Sequence, residues 1–156
     1  YGRGGSPLQN LILRGHRATR LTALRMTPEF DAGPVYFKEE LSLEGAAEEI
    51  YLRATRLAAR MIRRFLDAPP APAPQAGPVV TFKRRTPAES ALPAVNGLAE
   101  LYDFIRMLDA TGYPPAFLDC RGFRFEFRRA ALRHDRIEAD VCITRRPPAA
   151  PTKDPT

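Results

Sequence analysis

The sequence predicts an α/β fold, and three features carry that prediction. Strand-like stretches alternate with helix-like ones through residues 1–90. One long amphipathic segment, residues 46–66, reads as a helix. The chain then closes on two or three short strands, two of them joined by a tight turn. The pattern predicts mixed helices and strands first and a β-rich close. A Pro-rich tail at 147–156 reads as disordered.

The elements follow in order. Gly2, Gly4 and Gly5 form a glycine loop ahead of Ser6, a good N-cap, and Pro7, a good first helical residue. Leu8, Leu11 and Ile12 give a short apolar face and Gly15 a stop, so 7–14 is a short helix. Leu21–Met26 reads as a strand, and after a break at Thr27-Pro28 a second strand carries Val35, Phe37 and Leu41. In the long helix Ile50, Ala54, Leu57, Ala58, Met61 and Phe65 share a stripe, while Arg53, Arg56, Arg60 and Arg63 lie largely off it. Residues 69–78 hold five prolines and form a stiff connector, which can cross the surface of one domain as well as separate two. Val79–Phe82 reads as a strand, 97–109 as a helix, and Ala116–Cys120 and Phe123–Phe127 as a hairpin turning at Arg121-Gly122. Phe123, Phe125 and Phe127 alternate with charged residues, as on a buried sheet face; residues 137–144 supply the last strand.

Composition sets outer bounds. A chain of 156 residues is about one domain. It is 44% hydrophobic and 27% charged, the balance of a soluble globular protein, and no apolar run nears the ~20 residues of a membrane helix. A cytoplasmic location follows as an expectation. The chain opens on Tyr1 rather than Met with no signal peptide, which reads as a fragment or processed product. The net charge of +6 comes mostly from arginines dispersed among Ala and Pro rather than gathered in one block. Cys120 and Cys142 match no metal-ligand spacing and read as reduced, half-buried thiols; with only His16 and His134 present, no metal site is expected.

Two motifs offer chemistry. The N–H groups of a glycine loop before a helix converge on a place suited to an anion, although a plain tight turn has the same sequence. It is neither a P-loop nor a dinucleotide fingerprint, because the residues those require do not follow. Asp31, in Phe30-Asp31-Ala32-Gly33-Pro34, is a carboxylate held in a Gly/Pro-shaped turn between strands. It suits a base or an orienter of a histidine, or else caps its own turn. Lys83-Arg84-Arg85 is a third candidate, either a phosphate grip or a solvated charge run.

Taken together, Arg3-Gly4-Gly5-Ser6-Pro7-Leu8-Gln9, then Met26 and Asp31-Ala32-Gly33-Pro34-Val35, then Phe82-Lys83-Arg84-Arg85-Thr86-Pro87 with Ser90, resemble the folate-dependent formyltransferase family. That family includes methionyl-tRNA formyltransferases and amino-sugar N-formyltransferases. The resemblance implies the second half of a Rossmann-like catalytic domain over 1–90, followed by a small α+β, β-rich C-terminal subdomain over 91–146. It implies 10-formyltetrahydrofolate as the formyl donor and a primary amine as the acceptor. Asp31 becomes the catalytic aspartate, tuning a histidine and assisting proton transfer. Asp31, Gly33 and Pro34 fall on the folate side, and Arg3, Gly4, Gly5, Ser6, Gln9, Lys83, Arg84 and Arg85 on the acceptor side. The segment around Lys83–Ser90 looks closer to the sugar enzymes, and the chain left after residue 90 is short for the extra barrel of the tRNA enzymes. A nucleotide-linked amino sugar therefore ranks first as acceptor and methionyl-tRNA second. The family's Asn-x-His pair belongs just before Tyr1 and is absent from these residues, so the chain alone is expected to be inactive. An inactive remnant or a basic interaction module is the non-enzymatic alternative. Neither the acceptor amine nor the oligomeric state is legible, a homodimer being one arrangement left open.

Overall fold

A computed structural model describes residues 2–146, so the tail expected to be disordered lies outside the described residues. The chain begins with β1 (Arg3–Gly4) and α1 (Pro7–Leu13). Pro7 occupies the first turn of α1 as expected, but Ser6 does not cap it: its φ is +47°, and its Oγ accepts from the Arg85 N–H at 3.1 Å. Asn10 takes over the local bonding, its Nδ2 donating to the Ser6 carbonyl at 2.9 Å. Gly15, with φ +76°, ends the helix by donating to the Ile12 carbonyl.

β2 (Ala18–Leu24) and β3 (Val35–Ser42) pair antiparallel, with Thr22 opposite Lys38 and a register shift at Ala23/Leu24. The first of these strands starts earlier and stops sooner than the sequence suggests, because the chain must leave the ladder before the turn at Asp31. Against this hairpin lies α2 (Ala47–Asp67). Ala47, Ile50, Leu57 and Met61 are its buried stripe, and Phe65 meets Tyr36 edge to face at 4.8 Å. Burying a side chain the size of Ile50, Leu57 or Met61 is worth about 1.5–3 kcal/mol. Glu49 accepts from the Ala46 N–H at the helix start, and Pro69-Pro70 follow its end.

The Pro-rich connector folds back along β3 instead of leaving it: Val35 and Ala73 exchange both backbone hydrogen bonds, at 2.7 and 2.8 Å. It leads into β4 (Thr81–Phe82), shorter than the four-residue strand expected, which pairs parallel with β1. Gly4 is required there. Its φ is +99°, and a Cβ would stand 2.4 Å from the Phe82 carbonyl oxygen.

After a 3-10 turn at Pro87–Ser90 come α3 (Leu98–Arg106) and an antiparallel sheet of β5 (Ala116–Cys120), β6 (Phe123–Leu132) and β7 (Ile137–Arg145). Arg121 and Gly122 both have positive φ, as a two-residue hairpin turn demands. The phenylalanine face is only partly covered. Phe127 packs on the core, whereas Phe123 is 47% exposed, since the core reaches Phe127 and Ala130 and goes no further along β6. Both cysteines are exposed rather than half-buried, since among the described residues no element covers the sheet at those positions.

A single buried cluster spans both portions of the chain, from Leu8, Leu11 and Ile12 through Ile50 and Phe82 to Phe104, Leu108 and Ala116. Arg106 ties them further. It is 2% exposed, donates to the Leu43 and Gly45 carbonyls at 2.6 and 2.7 Å, and binds Asp103 at 2.6 Å.

Candidate functional site

Asp31 stands in the 25–34 connection with φ +53°, a left-handed conformation that aspartate tolerates better than most residues. Its carboxylate is aimed by the backbone: the Gly4 N–H donates to Asp31 Oδ2 at 2.9 Å. No other hydrogen bond to that carboxylate occurs among the described residues. Gly33 is buried where a Cβ would collide with the Arg25 carbonyl at 1.7 Å, so the turn can close this tightly only on glycine. Pro34 keeps the mouth of the hairpin shut by accepting from the Arg25 N–H at 2.9 Å.

The same turn is gripped from the connector. Gln75 Nε2 donates to the Asp31 and Gly33 carbonyls at 2.8 and 2.7 Å, and its Oε1 accepts from Arg3 Nη2 at 3.1 Å. Arg3 also reaches Glu29, at 3.4 Å. Sequence reasoning passed over Gln75. The available signal was its chemistry, since it is the one polar side chain in 68–78, a stretch otherwise of Ala, Pro and Gly.

Asp31, Arg3 and Gln75 border the mouth of a cavity of about 450 Å³ whose lining is mixed, with the apolar Leu8, Leu11 and Leu21 and the polar Arg20, Thr22 and Lys38 among its residues. A second cavity of about 470 Å³ is lined by Ser6, Gln9, Arg84 and Arg85 together with Tyr51 and Tyr113. The residues singled out in the sequence thus gather in two places. Arg3 and Asp31 line the first, with Gly4 and Gly33 bonded to or beside Asp31, and Ser6, Gln9, Arg84 and Arg85 line the second. Gly5 joins the two, its N–H on the Phe82 carbonyl and its backbone too close to Arg84 to admit a side chain. Gln9 is largely structural, buried and donating to the Tyr51 hydroxyl and the Met107 carbonyl, both at 3.1 Å.

Lys83 and Arg84 are exposed and make no ion pair among the described residues. Arg85 is half-buried, with its guanidinium over Phe104 and a hydrogen bond to the Glu89 carbonyl. Glu89 is held below the ordinary carboxylate range, first by the hydrogen bond from the Thr86 backbone and then by that from its hydroxyl. His16 follows α1, and His134 is exposed in the β6–β7 turn; neither lines the Asp31 cavity. Among the described residues no cluster of three His, Cys, Asp or Glu side chains could hold a metal ion, and no helix is long and apolar enough to cross a membrane.

The chain has counterparts among known proteins. Residues 87–144 match the family described as the methionyl-tRNA formyltransferase C-terminal domain. The fold matches that of a methionyl-tRNA formyltransferase from Clostridium thermocellum with a TM-score of 0.89 and 43% identity, over 92% of this chain and 64% of that one. The chain belongs to the formyltransferase family. It corresponds to the C-terminal part of the formyltransferases it resembles. A methionyl-tRNA formyltransferase of Wolinella succinogenes is 31% identical over 110 residues, which is 67% of this chain and 35% of that protein. A sugar N-formyltransferase from a Shewanella species shares the formyltransferase fold at 17% identity, with a TM-score of 0.69 over 82% of this chain and 56% of that one. The chain therefore spans about a third of the Wolinella formyltransferase and somewhat under two-thirds of the Clostridium one.

Proposed function

We propose that the protein carrying this chain transfers a formyl group from 10-formyltetrahydrofolate to a primary amine, and that the amine is that of methionyl-tRNA. The observation that carries the reading is the Asp31 carboxylate, fixed by the Gly4 N–H at the mouth of a cavity lined by both leucines and polar side chains. The fit is chemical as well as familial. A cavity of about 450 Å³ lies in the usual size range of small-molecule sites, and leucine walls with a few convergent polar groups suit a flat heterocycle. On this reading 1–90 is the latter half of a Rossmann-like catalytic domain and 91–146 a C-terminal subdomain, working in the cytoplasm.

The bound folate would supply an activated formyl carbon. This chain's residues supply position and charge around it. Formyl transfer would replace the bond from the formyl carbon to the folate nitrogen by one to the amine nitrogen; the departing folate nitrogen would take up a proton, and the amine would give one up. Asp31, aimed by Gly4, receives that proton directly or through the histidine of the Asn-x-His pair, which these 156 residues do not contain. A charge held in place before reaction needs no reorganisation as the barrier is crossed. Arg3 borders the same mouth and offers a cation to an anionic group of either substrate. Lys83 and Arg84, without ion-pair partners among the described residues, suit the phosphates of an RNA backbone.

The ranking of acceptors made from the sequence is reversed because the relatives above 30% identity are methionyl-tRNA formyltransferases, whereas the sugar enzyme lies at 17%. A nucleotide-linked amino sugar stays as the second reading, supported by the fold shared with a sugar N-formyltransferase. The test is to incubate the full protein with 10-formyltetrahydrofolate and either initiator methionyl-tRNA or nucleotide-linked amino sugars. Formyl-methionyl-tRNA as the preferred product supports the proposal. Preference for the sugars transfers it to the second reading, and no transfer to either amine refutes it.

A further inference from the structure

We infer that Gln75 is a positioning residue for the formyl-transfer site, holding the Asp31 turn and the Arg3 side chain in one arrangement. The inference rests on the reading of Asp31 as the reacting carboxylate. Three segments distant in sequence meet at a single primary amide. Both amide protons are used, one on the carbonyl of Asp31 and one on that of Gly33, at 2.8 and 2.7 Å. The amide oxygen accepts from Arg3 at 3.1 Å. The network also fixes which way the amide points, because a flipped amide would set its oxygen against two carbonyls and its NH₂ against a guanidinium.

The support behind Gln75 is stiff. Two backbone hydrogen bonds between Val35 and Ala73 pin the connector two residues earlier, and Pro72, Pro74 and Pro78 restrict its backbone. What it holds is not self-supporting. Asp31 has a left-handed backbone, is exposed, and sits in a connection whose Met26 and Phe30 are 91% and 87% exposed. Without Gln75, among the described residues the turn keeps the Gly4 bond to the Asp31 carboxylate, the hairpin bond at its base and the Thr27 hydroxyl on the Glu29 carbonyl, and the Arg3 side chain keeps Glu29. The carboxylate would then wander relative to the cavity mouth.

Two substitutions in the full protein separate the two jobs of the amide. Gln75→Ala removes all three hydrogen bonds. Gln75→Glu keeps an acceptor for Arg3 but has no donor for the two carbonyls at neutral pH. Expected is a fall in kcat on the order of ten- to a hundredfold for both variants, with KM for the folate little changed and the melting temperature near that of the parent. Hydrogen exchange at the Gly4 amide, followed by NMR, should accelerate about tenfold or more in both, since that N–H loses a fixed acceptor. Near-normal kcat and Gly4 exchange in Gln75→Glu, with both altered in Gln75→Ala, would mean that the amide acts only through Arg3 and would overturn the inference. Unchanged Gly4 exchange in Gln75→Ala would also overturn it. The exchange measurement needs no turnover, so a failure of the formyl-transfer reading leaves it decisive.

Discussion

Gly4 and Asp31, 27 residues apart in sequence, are joined by a 2.9 Å hydrogen bond from backbone N–H to carboxylate. The bond exists because β1 pairs with β4, which fixes the direction of the Gly4 N–H, and because the β2–β3 connection returns Asp31 to the same point. A glycine at one end and a left-handed aspartate at the other are conditions of this meeting.

Gly4→Ala should therefore damage both stability and the site. The new methyl would sit 2.4 Å from the Phe82 carbonyl oxygen at φ +99°, so β1 and β4 must separate. A loss of about 1–3 kcal/mol in denaturant unfolding is expected, the usual scale for strain at a special backbone position. Melting and turnover equal to the parent would show that the pairing does not set the site.

Arg106→Ala should be more damaging still. Arg106 is 2% exposed and joins α3 to the carbonyls of Leu43 and Gly45, so its loss leaves buried acceptors unpaired and opens a cavity between the two portions of the chain. The expected cost is about 3–5 kcal/mol, well above the ~0–1 kcal/mol typical of exposed pairs such as Arg136–Asp135. Arg106→Met, which refills the space, should cost less. Equal and small effects in urea unfolding would mean that the two portions are held together without Arg106.

Much of this fold could be read in the sequence wherever one residue type has one use. The α2 stripe, Pro7 at the start of α1 and the Arg121-Gly122 turn all behave as local rules require. The misreadings lie where distant chain decides. Ser6 looks like a cap but accepts from the Arg85 N–H, because β4 delivers residue 85 beside it. The Phe123 face looks buried but is half open, since alternation says which side a residue faces and not how far the covering core extends. Asp31 could be found from its turn, whereas Gln75 stands out only as the one polar side chain of a proline run, which does not tell that it contacts a turn 44 residues away.

Acid should weaken the C-terminal sheet. The Arg124 guanidinium, hydrogen-bonded to Asp119 at 2.8 and 2.9 Å, holds that carboxyl below the usual aspartate range. A carboxyl depressed on folding stabilises above its unfolded value, and the contribution disappears as pH falls through the folded one. Asp119→Asn should thus melt below the parent at neutral pH, with the gap closing as pH drops below the ordinary carboxylate range. A gap that is absent at pH 7, or that widens in acid, would contradict the assignment.

Replacing Asp31 with Asn in the full protein tests the central claim most directly. Asparagine tolerates the left-handed turn and can accept from the Gly4 N–H, so the shape survives while the charge and the proton acceptor are lost. With 10-formyltetrahydrofolate and methionyl-tRNA as substrates, turnover should fall on the order of a hundredfold or more, the scale of a positioned acid–base group, with little change in melting temperature. Near-normal turnover in a variant that melts like the parent would show that Asp31 only shapes its turn, and would contradict the account.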